Sequence, residues 1–242
     1  MSLAVVFLDG DYEEADYYVR WARAADLLVA ADGGAGFLAA AGLVPHLLVG
    51  DFDSLEEAAV RDVGRRGARV VRHPVRKDQT DGELAVAEAL SAGARDVVLA
   101  GALGALDHVL GQLALLARTE AGGVPARLVA PCLTVRVLPV PRAVTLSAPP
   151  GTRVSLSPLG GDAVVTLEGL DYPLERGLLP GETCLGLGNA VATVGDVPGR
   201  RGGASRGGAR VEVHEGRVAL LVASGAESFS ELCLPRAAGS GP

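Results

Sequence analysis

The residues in this chain best suited to chemistry are two short acidic motifs, Gly50-Asp51-Phe52-Asp53-Ser54 and Lys77-Asp78-Gln79-Thr80-Asp81. Hard divalent cations such as magnesium take carboxylate oxygens, often one or two, and phosphate oxygens complete the shell. Asp51 and Asp53, two residues apart on a turn, can face one ion. Alternatively they only help start a helix, because Ser54 with Glu57 fits a capping box. Thr80 with Glu83 repeats that pattern and puts Asp81 in the first helical turn. A helix N-terminus offers unpaired N–H groups and partial positive charge, which suits phosphate. Asp81 beside a phosphate would be repelled unless a cation lay between them. Lys77, the chain's only lysine, adds a point charge suited to phosphate; the alternative is a surface side chain at a strand end.

Two further turns have the same form with weaker signals. Asp32-Gly33-Gly34-Ala35 combines a carboxylate with glycines, which permit either close backbone approach to a ligand or an ordinary tight turn. Gly101-Ala-Leu-Gly104-Ala-Leu-Asp107-His108 offers an Asp-His pair. Asp107 reads as an N-cap and His108 as a first-turn residue, or the pair contacts phosphate or assists proton transfer.

The elements that must position these residues alternate along the first half. Apolar, β-branched runs at 4–8, 27–31, 47–50, 68–72, 97–100 and 128–130 read as strands, and amphipathic stretches at 15–25, 36–41, 55–63, 82–91 and 108–117 read as helices. Continuous apolar strands alternating with helices predict a parallel sheet covered on both faces, with ligands at the carboxyl ends of the strands. Every acidic motif falls at that edge. Tyr17 and Trp21, at helical spacing, read as packing residues. After about residue 138 the pattern becomes short strands between Gly/Pro turns, at 144–147, 154–157, 163–167, 191–194, 211–214 and 218–222. The expected organisation is a Rossmann-like parallel α/β domain over 1–138, joined near residues 138–141 to an antiparallel β-sandwich over 139–242. The Gly/Arg-rich stretch 199–208 reads as a flexible hairpin insertion rather than an RNA-binding tract, and the tail after Pro235 as disordered.

Composition narrows the function classes. The sequence is 49% hydrophobic but only 4% aromatic, so Val, Leu and Ala must build the core. A formal charge of −7 argues against nucleic acid as the main partner and tolerates cations as ligands. Cys132, Cys184 and Cys233 are scattered without CxxC spacing and read as reduced thiols, not a disulfide frame or zinc site. Without a long apolar run or a signal-like N-terminus, no membrane partner is expected, and the reading is of a cytoplasmic protein.

Taken in order and spacing, Asp-Gly-Gly-Ala, Pro45-x-x-x-x-Gly-Asp-Phe-Asp-Ser, Lys-Asp-x-Thr-Asp-x-Glu and Gly-x-x-Gly…Asp-His resemble the thiamine pyrophosphokinase family. The second half resembles it too, through Gly151-Thr-Arg-Val-Ser-Leu-Ser-Pro158, Gly169-Leu-Asp-Tyr172-Pro-Leu, Gly186-Leu-Gly-Asn189 and Glu215-Gly-Arg. The resemblance implies an α/β domain binding ATP and Mg2+, a thiamine-binding β-sandwich, and a homodimer with active sites at the subunit interface. It implies transfer of a pyrophosphoryl group from ATP to the thiamine hydroxyl, giving thiamine diphosphate and AMP. Asp51, Asp53 and Asp81 then match the magnesium-binding acids. Lys77 and Asp107 join them as catalytic positions, Asp107 or a magnesium-bound carboxylate being the candidate to take the hydroxyl proton. Asp32, Gly33, Gly34, Gln79, Thr80 and His108 match the ATP and phosphate neighbourhood, and Gly188 and Asn189 the thiamine-binding segment.

Three departures stand out. The family's Gly-Gly-Arg-x-Asp-His is shorter here and lacks the arginine, which Arg76 or Arg72 would have to replace. The Ser-Asn of the thiamine segment is Gly188-Asn189, and the Asn after Asp-His is Gln112. Two alternatives follow: a diphosphokinase for another acceptor such as a hydroxymethylpterin, and a member that binds thiamine or nucleotide without turnover.

Overall fold

The computed structural model describes residues 2–53, 55–76, 78–193 and 208–223. The chain divides into two compact units between Ala130 and Pro131. That division precedes the proline-rich join near residues 138–141, because strand β7 (Leu133–Leu138) is paired along its length with the last strand, β14 (Val218–Ala223), and so belongs to the second unit.

In the first unit, β1 (Leu3–Phe7), β2 (Leu27–Ala31), β3 (Leu47–Gly50), β4 (Arg69–Arg72), β5 (Asp96–Ala100) and β6 (Ala126–Ala130) form parallel ladders in the order β6-β5-β1-β2-β3-β4. All five residues of β1 are buried, as expected of a strand covered on both faces. Helices α1 (Ala15–Ala24), α2 (Gly34–Ala40), α3 (Glu57–Arg65), α4 (Asp81–Ser91) and α5 (Leu106–Ala121) connect them. Tyr17 and Trp21 are buried, and the Arg127 guanidinium lies 5.6 Å from the Trp21 ring centre.

The chain runs outward from β1 to β4 and returns to place β5 on the other side of β1, so the order reverses between β1 and β5. Such a switch point commonly opens a ligand crevice. Here Tyr12 lies against the ends of both strands. The Tyr12 hydroxyl donates to the Leu8 carbonyl, the Tyr12 ring stacks on Phe37 with centroids 4.1 Å apart, and the same hydroxyl lies 2.3 Å from where a Cβ on Gly101 would be. Burial pushes the Tyr12 hydroxyl well above the ordinary tyrosine range; the neighbouring Tyr18 and Asp9 add to the shift and the Leu8 hydrogen bond opposes it.

In the second unit, β7, β9 (Arg153–Pro158), β12 (Asn189–Ala190) and β14 pair antiparallel in the order β12-β9-β14-β7. The strands β8 (Arg142–Leu146), β10 (Ala163–Glu168), β11 (Leu174–Leu179) and β13 (Ala209–Glu215) pair in the order β11-β10-β13-β8. Residues from both sheets, including Val154, Leu156 and Leu220 from one and Val165, Leu167 and Val211 from the other, share one buried cluster. Inward and outward positions alternate along β10 and β13, the pattern of a two-layer sandwich. The fold class read from the sequence is therefore the one observed. β7 and β11 had no counterpart in the sequence reading. The strand expected at 191–194 is represented by β12 and by Val191, which bridges to Leu170.

Among the described residues no helix is long and apolar enough to cross a membrane. Cys132 and Cys184 are free and exposed. Cys233, most of the Gly/Arg-rich stretch and the tail after Pro235 lie outside the described residues.

Candidate metal and phosphate site

Each aspartate of the site stands at the carboxyl end of a strand or the start of a helix. Asp32 follows β2 directly and Asp51 follows β3. The Asp32 N–H donates to the Val49 carbonyl at 2.9 Å, so the ladder between these strands continues up to the acidic edge. Oxygens of Asp32, Asp51 and Asp53 lie within 4.8 Å of one another. In an octahedral magnesium shell with oxygens at about 2.1 Å, neighbouring ligands are about 3.0 Å and opposite ones about 4.2 Å apart, so the three carboxylates would draw together to share one ion. An all-oxygen donor set suits a hard divalent cation, and these residues fit magnesium.

The turn that brings Asp53 round is unusual. Phe52 is buried with φ 63°, and Asp32 has φ 40°, both in the left-handed region that non-glycine residues seldom adopt. Asp51 Oδ1 accepts the Asp53 N–H at 3.2 Å, an Asx-type bond two residues on. Asp81 approaches from α4: its Oδ1 lies 3.3 Å and the Asp32 Cβ 3.2 Å from where a Cβ on Gly50 would be. A side chain at 50 would crowd both acids, which is the packing reason for a glycine before Asp51.

The second motif folds as its sequence implies. Thr80 is the N-cap of α4. Its Oγ1 accepts the Glu83 N–H at 3.2 Å, and Glu83 Oε2 accepts the Thr80 N–H at 2.9 Å. Arg118 of α5 holds the same Glu83 carboxylate at 3.0 Å. The first motif differs from expectation. Helix α3 begins at Glu57, with Glu56 at the N-cap and no side-chain cap. The turn through Phe52 delays the helix, and the Glu57 carboxylate instead takes the Arg72 guanidinium at 2.8 Å. Ser54 and Lys77 lie outside the described residues.

Gly33 and Gly34 answer to packing against β1: a Cβ on Gly33 would fall 2.3 Å from Asp9 Oδ1, and one on Gly34 would fall 2.1 Å from the Phe7 carbonyl oxygen. Gln79 is exposed just before α4. Asp107 and His108 are exposed in the first turn of α5. Ala105 is the N-cap, so Asp107 does not cap the helix; its Oδ1 accepts the His108 N–H at 2.9 Å. In the second unit, Gly188 takes φ 77° and donates its N–H to Ser155 Oγ at 3.0 Å. Asn189 is buried. Its Oδ1 accepts the N–H groups of Tyr172 at 3.0 Å and Ala190 at 2.9 Å, and its Nδ2 donates to the Tyr172 carbonyl at 2.9 Å.

Two features escaped the sequence reading. Asp32 joins the carboxylate group with Asp51 and Asp53, whereas its glycine neighbours pointed only to phosphate. Asp9 stands against Gly33 on the same edge. The available signal was Asp9-Gly10, which closes β1 with the same Asp-Gly pair that closes β2.

A parallel α/β unit with an acidic strand edge, followed by a two-sheet β-sandwich, defines a class of protein with solved examples. The thiamine pyrophosphokinase structure from Bacillus subtilis superposes with a TM-score of 0.74 at 22% identity, covering 93% of this chain and 99% of that one. The structure of a thiamin pyrophosphokinase family protein from Enterococcus faecalis gives 0.73 at 23%, covering 93% and 99%. The thiamin pyrophosphokinase from Candida albicans gives 0.74 at 13%, covering 91% and 89%. In sequence, residues 18–127 match the family described as "Thiamin pyrophosphokinase, catalytic domain". A thiamine pyrophosphokinase of Bacillus subtilis is 30% identical over 153 residues, spanning 62% of this chain and 71% of the relative. The chain belongs to the thiamine pyrophosphokinase family, a family of enzymes.

Proposed function

We propose that the protein transfers a pyrophosphoryl group from ATP to the thiamine hydroxyl, forming thiamine diphosphate and AMP. The observation that carries this reading is the convergence of Asp32, Asp51 and Asp53, with Asp81 beside them, at the carboxyl ends of β2 and β3 next to the capped start of α4. In the reaction the thiamine oxygen bonds to the β-phosphorus, the bond from that phosphorus to the α,β-bridging oxygen breaks, and AMP leaves with the electron pair. The catalytic task is in-line placement and neutralisation of charge on the phosphate oxygens. Asp51, Asp53 and Asp32, with Asp81 adjacent, would hold Mg2+, which when bound supplies part of that neutralisation. The positive end of the α4 dipole would favour phosphate, with Lys77, Gln79 and Thr80 of the same motif assigned to it, and Asp107 would take the hydroxyl proton.

The first unit is assigned the ATP and Mg2+ role, and the second the thiamine role. Asn189 acts there by fixing the Tyr172 backbone, since its amide is already engaged with it. The working form is a homodimer with the active site at the subunit interface. Exposed Leu106 and Leu110 on α5, and exposed Tyr172, Leu185 and Leu187 in the second unit, supply apolar surface suited to such contacts. A cytoplasmic location belongs to the same reading and suits the free thiols of Cys132 and Cys184.

A second reading, binding without turnover, is favoured by one observation. Arg72, one of the two candidates to stand in for the arginine missing before Asp107, has its guanidinium engaged by Glu57 and by the Asp51 carbonyl. The decisive assay incubates the protein with ATP, Mg2+ and thiamine and measures nucleotide and thiamine products. Thiamine diphosphate with equimolar AMP is expected. ADP as the nucleotide product would refute pyrophosphoryl transfer, and tight thiamine binding with no product would establish the second reading.

A further inference from the structure

We propose that Arg72 is a positioning residue for the Asp51/Asp53 turn, setting the carboxylates where a cation binds; this rests on the assignment of that turn to a magnesium site. Arg72 ends β4 directly across the ladder from Gly50, the residue before Asp51. From there its side chain meets the turn in three places. One Nη donates to the Asp51 carbonyl at 3.4 Å, the other pairs with the Glu57 carboxylate at 2.8 Å, and the guanidinium lies 4.9 Å from the Phe52 ring centre. The residue so covered is the one held at φ 63°, a conformation a bulky side chain does not keep without support from its surroundings. A planar fork that also stacks on an aromatic face can grip carbonyl, carboxylate and ring together, whereas an ammonium cannot.

The sign of the effect separates positioning from charge. A guanidinium near a cation site repels the cation, so if Arg72 acted through charge alone, its removal would tighten cation binding. If it acts by holding the turn, its removal loosens binding, because Asp51 and Asp53 no longer converge.

The experiment is titration of the whole protein with Mn2+ alone, following the free ion by electron paramagnetic resonance, for the wild type, Asp53→Asn, Arg72→Met and Arg72→Lys. The expected result is wild-type binding that Asp53→Asn abolishes, a Kd raised about 10–100-fold in Arg72→Met, and a smaller increase in Arg72→Lys. The metal-free thermal midpoint of each variant serves as the folding control. The Arg72 side chain is about half exposed, so midpoints close to wild type are expected. Should Arg72→Met fail to fold, Arg72→Lys carries the test. Unchanged or tighter binding in Arg72→Met, or full wild-type affinity in Arg72→Lys, overturns the positioning role while leaving the site intact. Wild-type protein that binds no Mn2+, or binds it independently of Asp53, overturns the site assignment and this proposal with it.

Discussion

Asn189 grips Tyr172 with both ends of its amide, accepting the Tyr172 N–H at 3.0 Å and donating to the Tyr172 carbonyl at 2.9 Å. The buried asparagine thus substitutes for a neighbouring strand, and fixes the Tyr172 loop against β12. Asn189→Ala removes donor and acceptor together. It is expected to cost about 1–3 kcal/mol in urea unfolding, and to raise the KM for thiamine more than it lowers kcat. Unchanged stability would mean that water replaces both bonds.

Asp53 is exposed and its side chain supports little of the fold, so Asp53→Ala separates chemistry from stability. The expected outcome is a fall in magnesium-dependent product formation of about 100-fold or more, with unfolding free energy within about 0.5 kcal/mol of wild type. Turnover at the wild-type rate would remove Asp53 from the site.

Gly33 and Gly34 have different neighbours, and their alanine variants should differ accordingly. A Cβ on Gly34 meets a main-chain carbonyl, which cannot move without disturbing β1; one on Gly33 meets the end of the Asp9 side chain, which can rotate away. Gly34→Ala is therefore expected to cost about 3 kcal/mol and Gly33→Ala about 1 kcal/mol or less. Chemical denaturation of the two variants checks the order; equal costs would indicate that β1 yields as easily as a side chain.

Tyr12 predicts a pH dependence of stability. Its hydroxyl titrates higher in the folded protein than in the unfolded chain. The unfolded chain therefore loses this proton first, and stability from this group is complete below about pH 10 and declines as pH rises above it. Tyr12→Phe is expected to lose about 1 kcal/mol near neutrality, through the bond to the Leu8 carbonyl, and to show a shallower alkaline decline than wild type. Parallel slopes above pH 10 in urea titrations would exclude Tyr12 as the group responsible.

Local rules carried much of the fold. Buried parallel strands advertise themselves as apolar runs, and Thr80-x-x-Glu83 forms its capping box because both partners lie within four residues. Glu57 is the first residue of α3, with Glu56 at an N-cap that has no side-chain bond, and its carboxylate pairs with Arg72 on a neighbouring strand. β11 escaped notice because Leu-Glu-Arg-Gly-Leu-Leu has neither clean alternation nor β-branched residues; its partner β10 supplies the pairing. β7 has both, but the proline-rich join beyond it suggested a boundary that long-range pairing with β14 overrides.

The sequence by itself determined the alternation of strands and helices in the first unit, the acidic character of the strand edge and the family to which the chain is similar. These follow from residue types and spacings along a few turns. Only the tertiary structure decided which carboxylates meet. Asp32 and Asp53 are distant in sequence, and they converge because β2 and β3 are adjacent in register and Phe52 turns left-handed under Arg72. It also decided that Tyr12 lies against the ends of β1 and β5 and that the Asn189 amide serves Tyr172. Which side chain reaches which partner depends on strand order and close packing, and neither is a property of any short stretch of chain.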